Sequence, residues 1–340
     1  MKTWGFGVIG CGNISSFHIE AIRRLPNARL AAVASRDARK ARSVAEREGC
    51  AACGDYRELL ARDDVEIVCL TTPSGTHAEI GMDVLAAGKH LLVEKPMAMR
   101  SRDAERMMEL AERKGVTLSV VSQRRFEEAH QIAKRAVDEG RLGKLLLVEA
   151  HVPLYRSQEY YDSADWRGTL DQDGGALMNQ GIHSIDLLLW FGGRAVSVCG
   201  KVATLTHDME AEDLGLAIVS FANGAYGTIM ASTSIRPGFS PTLSIYGERG
   251  TIRMEGTKFA HWSVPGMEEP KLTDEASDGS GVSDPKAISH VYHERQLAAL
   301  IAAIENDQPP PVTGHDGKRA VELIEAIYSS SKTGTETAIE

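Results

Sequence analysis

The sequence predicts an α/β protein with two sheets, a doubly wound parallel sheet followed by a mostly antiparallel one. Up to residue 123, short apolar runs alternate with helical patterns at the spacing of a parallel sheet. A glycine-rich turn follows the first apolar run, as is typical of nucleotide-binding sheets. Beyond residue 123, strand-like segments follow one another across short turns such as Asn223-Gly224, which favours antiparallel pairing. We therefore predict two domains, residues 1–123 and residues 124–340.

The elements of the first domain are defined by apolar periodicity and by the residues that end them. Pro26 and Asn27 end the first helical pattern, and Gly49, Gly88 and Gly115 end later helices. Strands are predicted at residues 6–9, 29–34, 66–70, 90–93 and 117–121, and helices near 17–25, 38–48, 56–61, 77–87 and 100–114. At least one helix then lies between each pair of successive strands, as a parallel sheet requires.

The second domain begins with a helix and continues as a sheet. A helix is predicted at residues 129–139, an extended run at 145–151, and a helical pattern after Gly174-Gly175. Strands follow at residues 195–203, 214–221, 224–232, 242–246 and 251–254, and two helices, near 290–306 and 317–330, close the chain.

Composition excludes several classes of function. Among 340 residues, 38 lysines and arginines stand against 47 acidic residues, which gives a formal charge of −9. This balance argues against general binding to nucleic acid or to an anionic membrane. The N-terminal segment has no apolar signal region, so a cytoplasmic location is expected. The five cysteines, which include a Cys50-x-x-Cys53 pair, are interpreted as reduced and mostly buried thiols.

The glycine-rich turn spans Gly10-Cys-Gly12-Asn-Ile-Ser15, with Ser15 at the position of a third glycine. The first glycine permits a tight turn, the second lets a pyrophosphate approach the backbone, and the following helix offers its N–H groups. The residues expected to contact a dinucleotide here are Gly10, Cys11, Gly12, Asn13 and Ile14.

The end of the second strand bears on the choice between NAD and NADP. Ser35 and Arg36 stand where an acidic residue would bind a ribose 2′-hydroxyl, and Asp37 comes one position later. A serine and an arginine suit a 2′-phosphate. NADP is therefore favoured, with NAD as the alternative because Asp37 could reach a ribose.

One segment combines side chains that suit proton transfer. Asn179, His183 and Asp186 follow the two glycines at spacings of four and three residues, so on an α-helix they share one face. A histidine held by a neighbour can exchange protons at neutral pH. A buried structural histidine is the alternative. No further Cys/His cluster completes a metal site, so no metal is predicted.

A second candidate group, Lys95, ends the fourth predicted strand. Ligands of open parallel sheets bind beyond the carboxyl ends of the strands. A lysine there can donate a hydrogen bond to a substrate hydroxyl and stabilise its developing negative charge.

Together these motifs resemble the Gfo/Idh/MocA oxidoreductases, the glucose–fructose oxidoreductase and inositol dehydrogenase family. The resemblance covers nearly the whole chain, and the motifs occur in the family's order. They are the glycine turn, Thr72-Pro73-Ser74 with His77, Glu94-Lys95-Pro96, Trp166-Arg167, and the segment that ends in His183 and Asp186. The resemblance implies a Rossmann domain and a second domain whose large open sheet serves as a dimer or tetramer interface. It also implies sugar, sugar-derivative or cyclitol substrates.

The resemblance also implies roles for individual residues. The family's lysine falls on Lys95 and its histidine on His183, whereas the position of its aspartate is occupied by Asn179. An amide cannot take a proton, so His183 is the expected base, and Asn179 is expected to position a hydroxyl. Further cofactor contacts are expected from Thr72, Pro73, Ser74, His77, Glu94, Lys95, Gln123, Trp166 and Arg167. The sugar is expected to contact Lys95, Tyr155, Arg156, Tyr161, Asn179 and His183.

The expected activity is hydride transfer between NAD(P) and a secondary hydroxyl of a sugar or cyclitol. Two alternatives remain open at this point. One is a glycoside hydrolase or lyase that oxidises its substrate only transiently, and the other is a cofactor-binding regulator without catalysis.

Overall fold

The computed structural model describes residues 2–273 and 290–339, which form two compact units. The first unit comprises the chain up to Gln123 together with His290–Lys318, and the second comprises the remainder. Among the described residues, no helix is long and apolar enough to cross a membrane.

The first unit is a doubly wound parallel sheet, as predicted. Its elements are β1 (Trp4–Ile9), α1 (Ser15–Arg24), β2 (Ala28–Ala34), α2 (Ala38–Glu48), β3 (Ala51–Cys53), α3 (Tyr56–Leu60), β4 (Ile67–Leu70), α4 (His77–Ala86), β5 (His90–Val93), α5 (Ser101–Lys114) and β6 (Leu118–Val120). The strand order is β3-β2-β1-β4-β5-β6, and every pairing is parallel. The order reverses between β1 and β4, which is where ligands of such sheets bind.

The second unit is built around a mixed, mostly antiparallel sheet. Its elements begin with α6 (Glu128–Asp138), β7 (Leu145–Pro153), α7 (Gln158–Asp162), a π-helical turn (Ala176–Gly181) and α8 (Ile182–Gly192). They continue with β8 (Ala195–Ala203), β9 (Leu214–Phe221), β10 (Tyr226–Ser232), β11 (Thr242–Gly247), β12 (Thr251–Glu255) and β13 (Lys258–Ser263). After α9 (Val291–Glu305), the chain ends with α10 (Gly314–Thr333) and β14 (Thr337–Ala338). The strand order is β13-β12-β11-β7-β10-β9-β8-β14, and only β7 and β10 pair in parallel.

The segment His290–Lys318 differs from the prediction, which assigned all of residues 124–340 to the second domain. Helix α9 contributes Leu297, Leu300 and Ile301 to the apolar core of the first unit, where they pack with β1 and α1 residues. Burial of these side chains explains the assignment, because each fully buried leucine or isoleucine stabilises a fold by about 1.5–3 kcal/mol.

Candidate functional site

The glycine turn of the first unit has the geometry of a dinucleotide-binding turn. Gly10 has a φ of 104°, and a Cβ atom there would lie 2.7 Å from the carbonyl oxygen of Thr71. The Thr71 hydroxyl donates to the carbonyl oxygen of Gly10 over 2.8 Å, which fixes the turn against the end of β4. At Gly12, by contrast, a Cβ would meet no atom within 4 Å, so this side of the turn is open. Gly10 is therefore required by the fold, whereas Gly12 leaves room for a ligand.

A cavity of about 700 Å³ adjoins this turn. Its lining includes seven of the predicted cofactor residues: Gly10, Cys11, Gly12, Ser35, Arg36, Thr72 and Pro73. It also includes Lys40 of α2 and Tyr56 and Arg57 of α3, which were not predicted to contact the cofactor. Tyr56 and Arg57 were missed because the three-residue strand β3 that leads to them carries no periodicity. The size, the open glycine and the position at the strand-order reversal fit a nicotinamide dinucleotide.

The lining of this cavity carries charges of both signs, with Arg36, Lys40 and Arg57 basic and Asp37, Asp55 and Glu79 acidic. Arg36 and Lys40 line it, whereas the Asp37 carboxylate accepts hydrogen bonds from the backbone N–H groups of Arg39 (3.0 Å) and Lys40 (3.4 Å). These bonds lower the pKa of Asp37 and make it the N-cap of α2. The Ser35 hydroxyl accepts from the Asp37 N–H over 3.2 Å. The Asp37 carboxylate is thus engaged in capping α2, although Asp37 lines the same cavity as Arg36 and Lys40.

Not all predicted cofactor residues line this cavity. His77 is buried, and its ring nitrogens lie 2.7 Å from the Pro96 carbonyl and 2.9 Å from the Thr72 carbonyl, so it connects the loops after β5 and β4. Gln123 is also buried. Asn13, Ile14, Ser74 and Glu94 lie outside the lining as well, so their contact with a cofactor stays a prediction.

Lys95 lies two residues after the end of β5 and is half-buried. The sequence left open whether the Lys95–Pro96 bond is cis, and the structure has it in the cis form. The Glu94 carboxylate accepts from the Lys95 N–H over 3.3 Å, and its other oxygen lies 2.8 Å from Nε2 of His18. Lys95 therefore stands beside a buried acidic group.

The Glu94 carboxylate belongs to a buried cluster with His18 and His293 that the sequence did not reveal. One ring nitrogen from each histidine and one carboxylate oxygen of Glu94 all lie within 4.8 Å of one another. Burial alone would lower the pKa of His18, but contacts with Cys69 and Glu94 raise it to about 10. Burial opposes ionisation of Glu94, yet His18 lowers its pKa to about 2, and burial together with the charge on His18 lowers that of His293 to about 3. The cluster is accordingly a His18–Glu94 ion pair beside a neutral imidazole.

The predicted helical segment of Asn179, His183 and Asp186 differs from the structure only at Asn179, because His183 and Asp186 lie three residues apart in α8 as predicted. Asn179 lies in the π-helical turn Ala176–Gly181, and α8 begins only at Ile182. A π-helix bonds i to i+5, so the α-helical spacing does not apply across this junction. His183 is half-buried in the first turn of α8. The Nδ2 group of Asn179 donates to Asp173, whose other carboxylate oxygen accepts from the Gly168 N–H over 2.9 Å.

Asp186 is committed to a buried ion pair. Its two oxygens accept from Nε and Nη2 of Arg125 at 2.8 and 2.5 Å, and the guanidinium also lies 5.4 Å from the ring centre of Trp190. Arg125 and Asp186 are each less than 10% exposed. Asp186 thus anchors α8, the helix that carries His183, to the segment before α6.

Three of the predicted sugar-contact residues, Tyr155, Arg156 and Tyr161, have partners within the second unit. Tyr161 is buried, and its hydroxyl donates to Thr233 over 2.8 Å. Tyr155 is half-buried and accepts from Arg236 over 2.5 Å. Arg156 lies beside Tyr160, and so does Arg167, which was predicted to contact the cofactor. The structure therefore places Arg167 beside the same ring as Arg156, which was assigned to the sugar.

Comparison with known proteins agrees with the two-unit fold. Residues 4–122 match the profile of an oxidoreductase family with an NAD-binding Rossmann fold, and residues 130–253 match the profile of the GFO/IDH/MocA C-terminal domain.

Individual relatives are similar over most of their length. A dTDP-3,4-didehydro-2,6-dideoxy-α-D-glucose 3-reductase of Streptomyces violaceoruber is 31% identical over 88% of this chain and 84% of its own. The NADP-dependent scyllo-inositol 2-dehydrogenase of Bacillus subtilis is 27% identical over 82% of this chain and 80% of its own. The WlbA dehydrogenase of Bordetella pertussis, solved with NADH and UDP-GlcNAcA, is 32% identical, covers 100% of this chain and 99% of its own, and has a TM-score of 0.88.

Proposed function

Because the chain belongs to the Gfo/Idh/MocA oxidoreductase family, we propose that it transfers a hydride between a nicotinamide dinucleotide and a secondary hydroxyl of a sugar, sugar derivative or cyclitol. The observation that carries this proposal is the open glycine turn beside a cavity of about 700 Å³ at the strand-order reversal of the first unit. The cofactor, when bound, supplies a nicotinamide ring that accepts or returns the hydride.

The chain's own residues supply binding, orientation and proton transfer. His183 removes the proton of the substrate hydroxyl during oxidation and returns it during reduction. Lys95 donates a hydrogen bond to the same oxygen and stabilises the negative charge that develops on it. Asn179, whose amide group is oriented by Asp173, positions a neighbouring hydroxyl.

Two substitutions test these roles. Lys95→Met should lower kcat about 100-fold or more, since one stabilising donor at a developing oxyanion is typically worth that factor. His183→Ala should lower kcat and also remove the acidic limb of the pH profile of kcat/KM. Lys114→Met, at an exposed lysine that ends α5, is the matched control and should leave turnover unchanged. Full turnover by Lys95→Met on a sugar and cyclitol panel would refute the mechanism.

NADP is the proposed cofactor, on the strength of Arg36 and Lys40 at the cavity and of the capping role of Asp37. An Arg36→Ala variant should lose at least about tenfold in the ratio of NADP to NAD affinity, because a guanidinium–phosphate hydrogen bond is charge-assisted. Arg39→Ala is the control, since Arg39 is exposed and lies outside the cavity lining. An unchanged ratio in Arg36→Ala, measured by titration with both cofactors, would favour NAD.

The open face of the eight-stranded sheet is the proposed homo-oligomer interface. Leu216, Ile218 and Tyr226 are 44%, 57% and 57% exposed. The register places Ile218 opposite Thr228 and Leu216 opposite Met230, on the same face as Tyr226. Exposed apolar side chains on one sheet face are typical of association surfaces. Light scattering should show a dimer or tetramer that Ile218→Lys dissociates, and a monomeric wild-type chain would exclude this interface.

A further inference from the structure

Two guanidinium groups in the second unit lie against the ring of Tyr160. That of Arg167 is 4.2 Å from the ring centre, and that of Arg156 is 5.7 Å from it. Arg167 also lies 4.6 Å from the ring centre of Trp166. Such contacts stabilise a cation without neutralising it. The aromatic rings therefore hold two like charges near each other.

The hydrogen bonds around Arg156 fix this arrangement and connect it to the predicted catalytic segment. The Arg156 side chain is buried, and it donates to the Tyr155 carbonyl over 2.8 Å and to the side-chain oxygen of Gln180 over 3.4 Å. The Gln180 amide group in turn donates to the Tyr160 hydroxyl over 3.3 Å. Gln180 follows Asn179 in the π-helical turn that leads to His183. Arg156 is thus hydrogen-bonded directly to the segment proposed to bind the substrate hydroxyl, and Arg167 contacts the ring of Tyr160, whose hydroxyl accepts from the same Gln180.

The two oxygens that accept hydrogen bonds from Arg156, those of the Tyr155 carbonyl and the Gln180 side chain, are uncharged. Within the described part of the chain, no carboxylate oxygen comes within the 4.0 Å ion-pair distance of the Arg167 guanidinium, and the buried Nε of Arg167 has no hydrogen-bond partner. The nearby carboxylate of Asp173 is already engaged by the Gly168 N–H and by Asn179. Burial lowers the pKa of Arg156, and the charge of Arg167 adds to this effect. Positive charge is therefore concentrated at Tyr160.

We propose that this arginine pair binds an anionic group of the substrate, so that the enzyme acts on sugars that carry a carboxylate or a phosphate. The inference rests on the proposed function and narrows its substrate class. Guanidinium groups bind both kinds of oxyanion through charge-assisted hydrogen bonds, and a partly buried pair discriminates strongly against neutral analogues. Arg167, which is half-buried, makes the direct contact, and Arg156 adds its charge from behind.

The test compares glucuronate and glucose 6-phosphate with glucose, on enzyme saturated with cofactor. Calorimetric binding and kcat/KM are both measured. We expect the affinity and kcat/KM for at least one of the anionic sugars to exceed those for glucose about 30-fold or more. Loss of one partner of a buried, hydrogen-bonded charge pair costs about that much affinity or more. Arg167→Gln and Arg156→Gln should abolish this preference, measured as the ratio of the anionic sugar to glucose in affinity and in kcat/KM for each variant. Arg167→Lys should retain part of it, because it keeps the charge but loses the planar fork.

Arg194→Gln is the charge-matched control, since Arg194 is an exposed arginine of the same unit and should leave the preference intact. Equal binding of glucose and of both anionic sugars would overturn the inference and leave the proposed dehydrogenase standing. So would a preference that survives in folded Arg167→Gln. Tight, arginine-dependent binding of an anionic sugar without turnover would support the inference and refute the proposed function.

Discussion

The two units build their candidate sites from different parts of the polypeptide. In the first unit the site is mostly backbone: Gly10 makes the turn, Gly12 leaves it open, and the N-terminus of α1 follows. In the second unit the site is made of side chains from separate segments, namely Tyr155 and Arg156, Tyr160, Trp166 and Arg167, and the π-helical turn with α8.

This difference predicts different sensitivities to substitution. A backbone site depends on a few positions where only glycine fits and tolerates exchange elsewhere. A side-chain site depends on buried partners that hold its members, such as Asp186 for Arg125, Asp173 for Asn179, and Glu212 for the turn itself. Substitutions of these partners should therefore have the largest effects.

The largest effect is expected for Asp186→Ala. It leaves the Arg125 guanidinium buried without the carboxylate that now binds it through two nitrogens, and breaking such a pair costs about 3–5 kcal/mol of unfolding free energy. Urea unfolding followed by circular dichroism measures the change. Glu20→Ala is the control, because it removes a partly exposed partner of the exposed Arg23 and Arg24 and should cost about 1 kcal/mol or less. Equal losses of unfolding free energy in the two variants would mean that the buried pair stabilises the fold no more than the exposed one.

A second, pH-dependent effect is expected at Glu212. This buried carboxylate accepts from the Leu177 N–H (2.8 Å) in the π-helical turn and from the Tyr328 hydroxyl (3.0 Å), and burial raises its pKa to about 7. The unfolded chain releases this proton at lower pH, with a pKa near 4.5, so stability should fall as pH rises from about 4.5 to 7. The loss is on the order of 3 kcal/mol.

Glu212→Gln should flatten this decline, because the amide keeps an acceptor for Leu177 but does not titrate. Urea midpoints at several pH values between 4.5 and 8 provide the measurement. Identical pH profiles for the variant and the wild type would show that Glu212 is ionised throughout this range.

Much of the first unit could be predicted because its signals are local. Helix α2 was predicted at 38–48 and β5 at 90–93, as observed, since the residue pattern defines both, Gly49 follows α2 and Gly88 precedes β5. Gly49 ends α2 with a φ of 70°, the conformation that favours glycine. Gly10 and Gly12 were likewise recognised from their place between a strand and a helix.

The second site could not be predicted to the same extent, because its determinants are not local. Nothing in the spacing of Asn179 and His183 indicates a π-helical turn, which depends on tertiary contacts such as the Glu212–Leu177 bond. Residues 18, 94 and 293 come together only in the folded core. The roles of Asp173 and Gln180 were missed for the same reason, since their partners lie six and 24 residues away.

The smallest effects on stability, and the sharpest test of the comparison, concern the two glycines of the turn. Gly10→Ala places a Cβ 2.7 Å from the Thr71 oxygen at a φ of 104° and should cost about 1–3 kcal/mol of unfolding free energy. Gly12→Ala meets no atom within 4 Å and should change stability by about 0.5 kcal/mol or less. Its effect should appear instead as weaker cofactor binding in a fluorescence titration, because the added methyl group occupies the open side of the turn. If Gly12→Ala bound the cofactor as tightly as the wild type, the pyrophosphate could not lie against Gly12, and the first unit's site would depend on side chains as the second does.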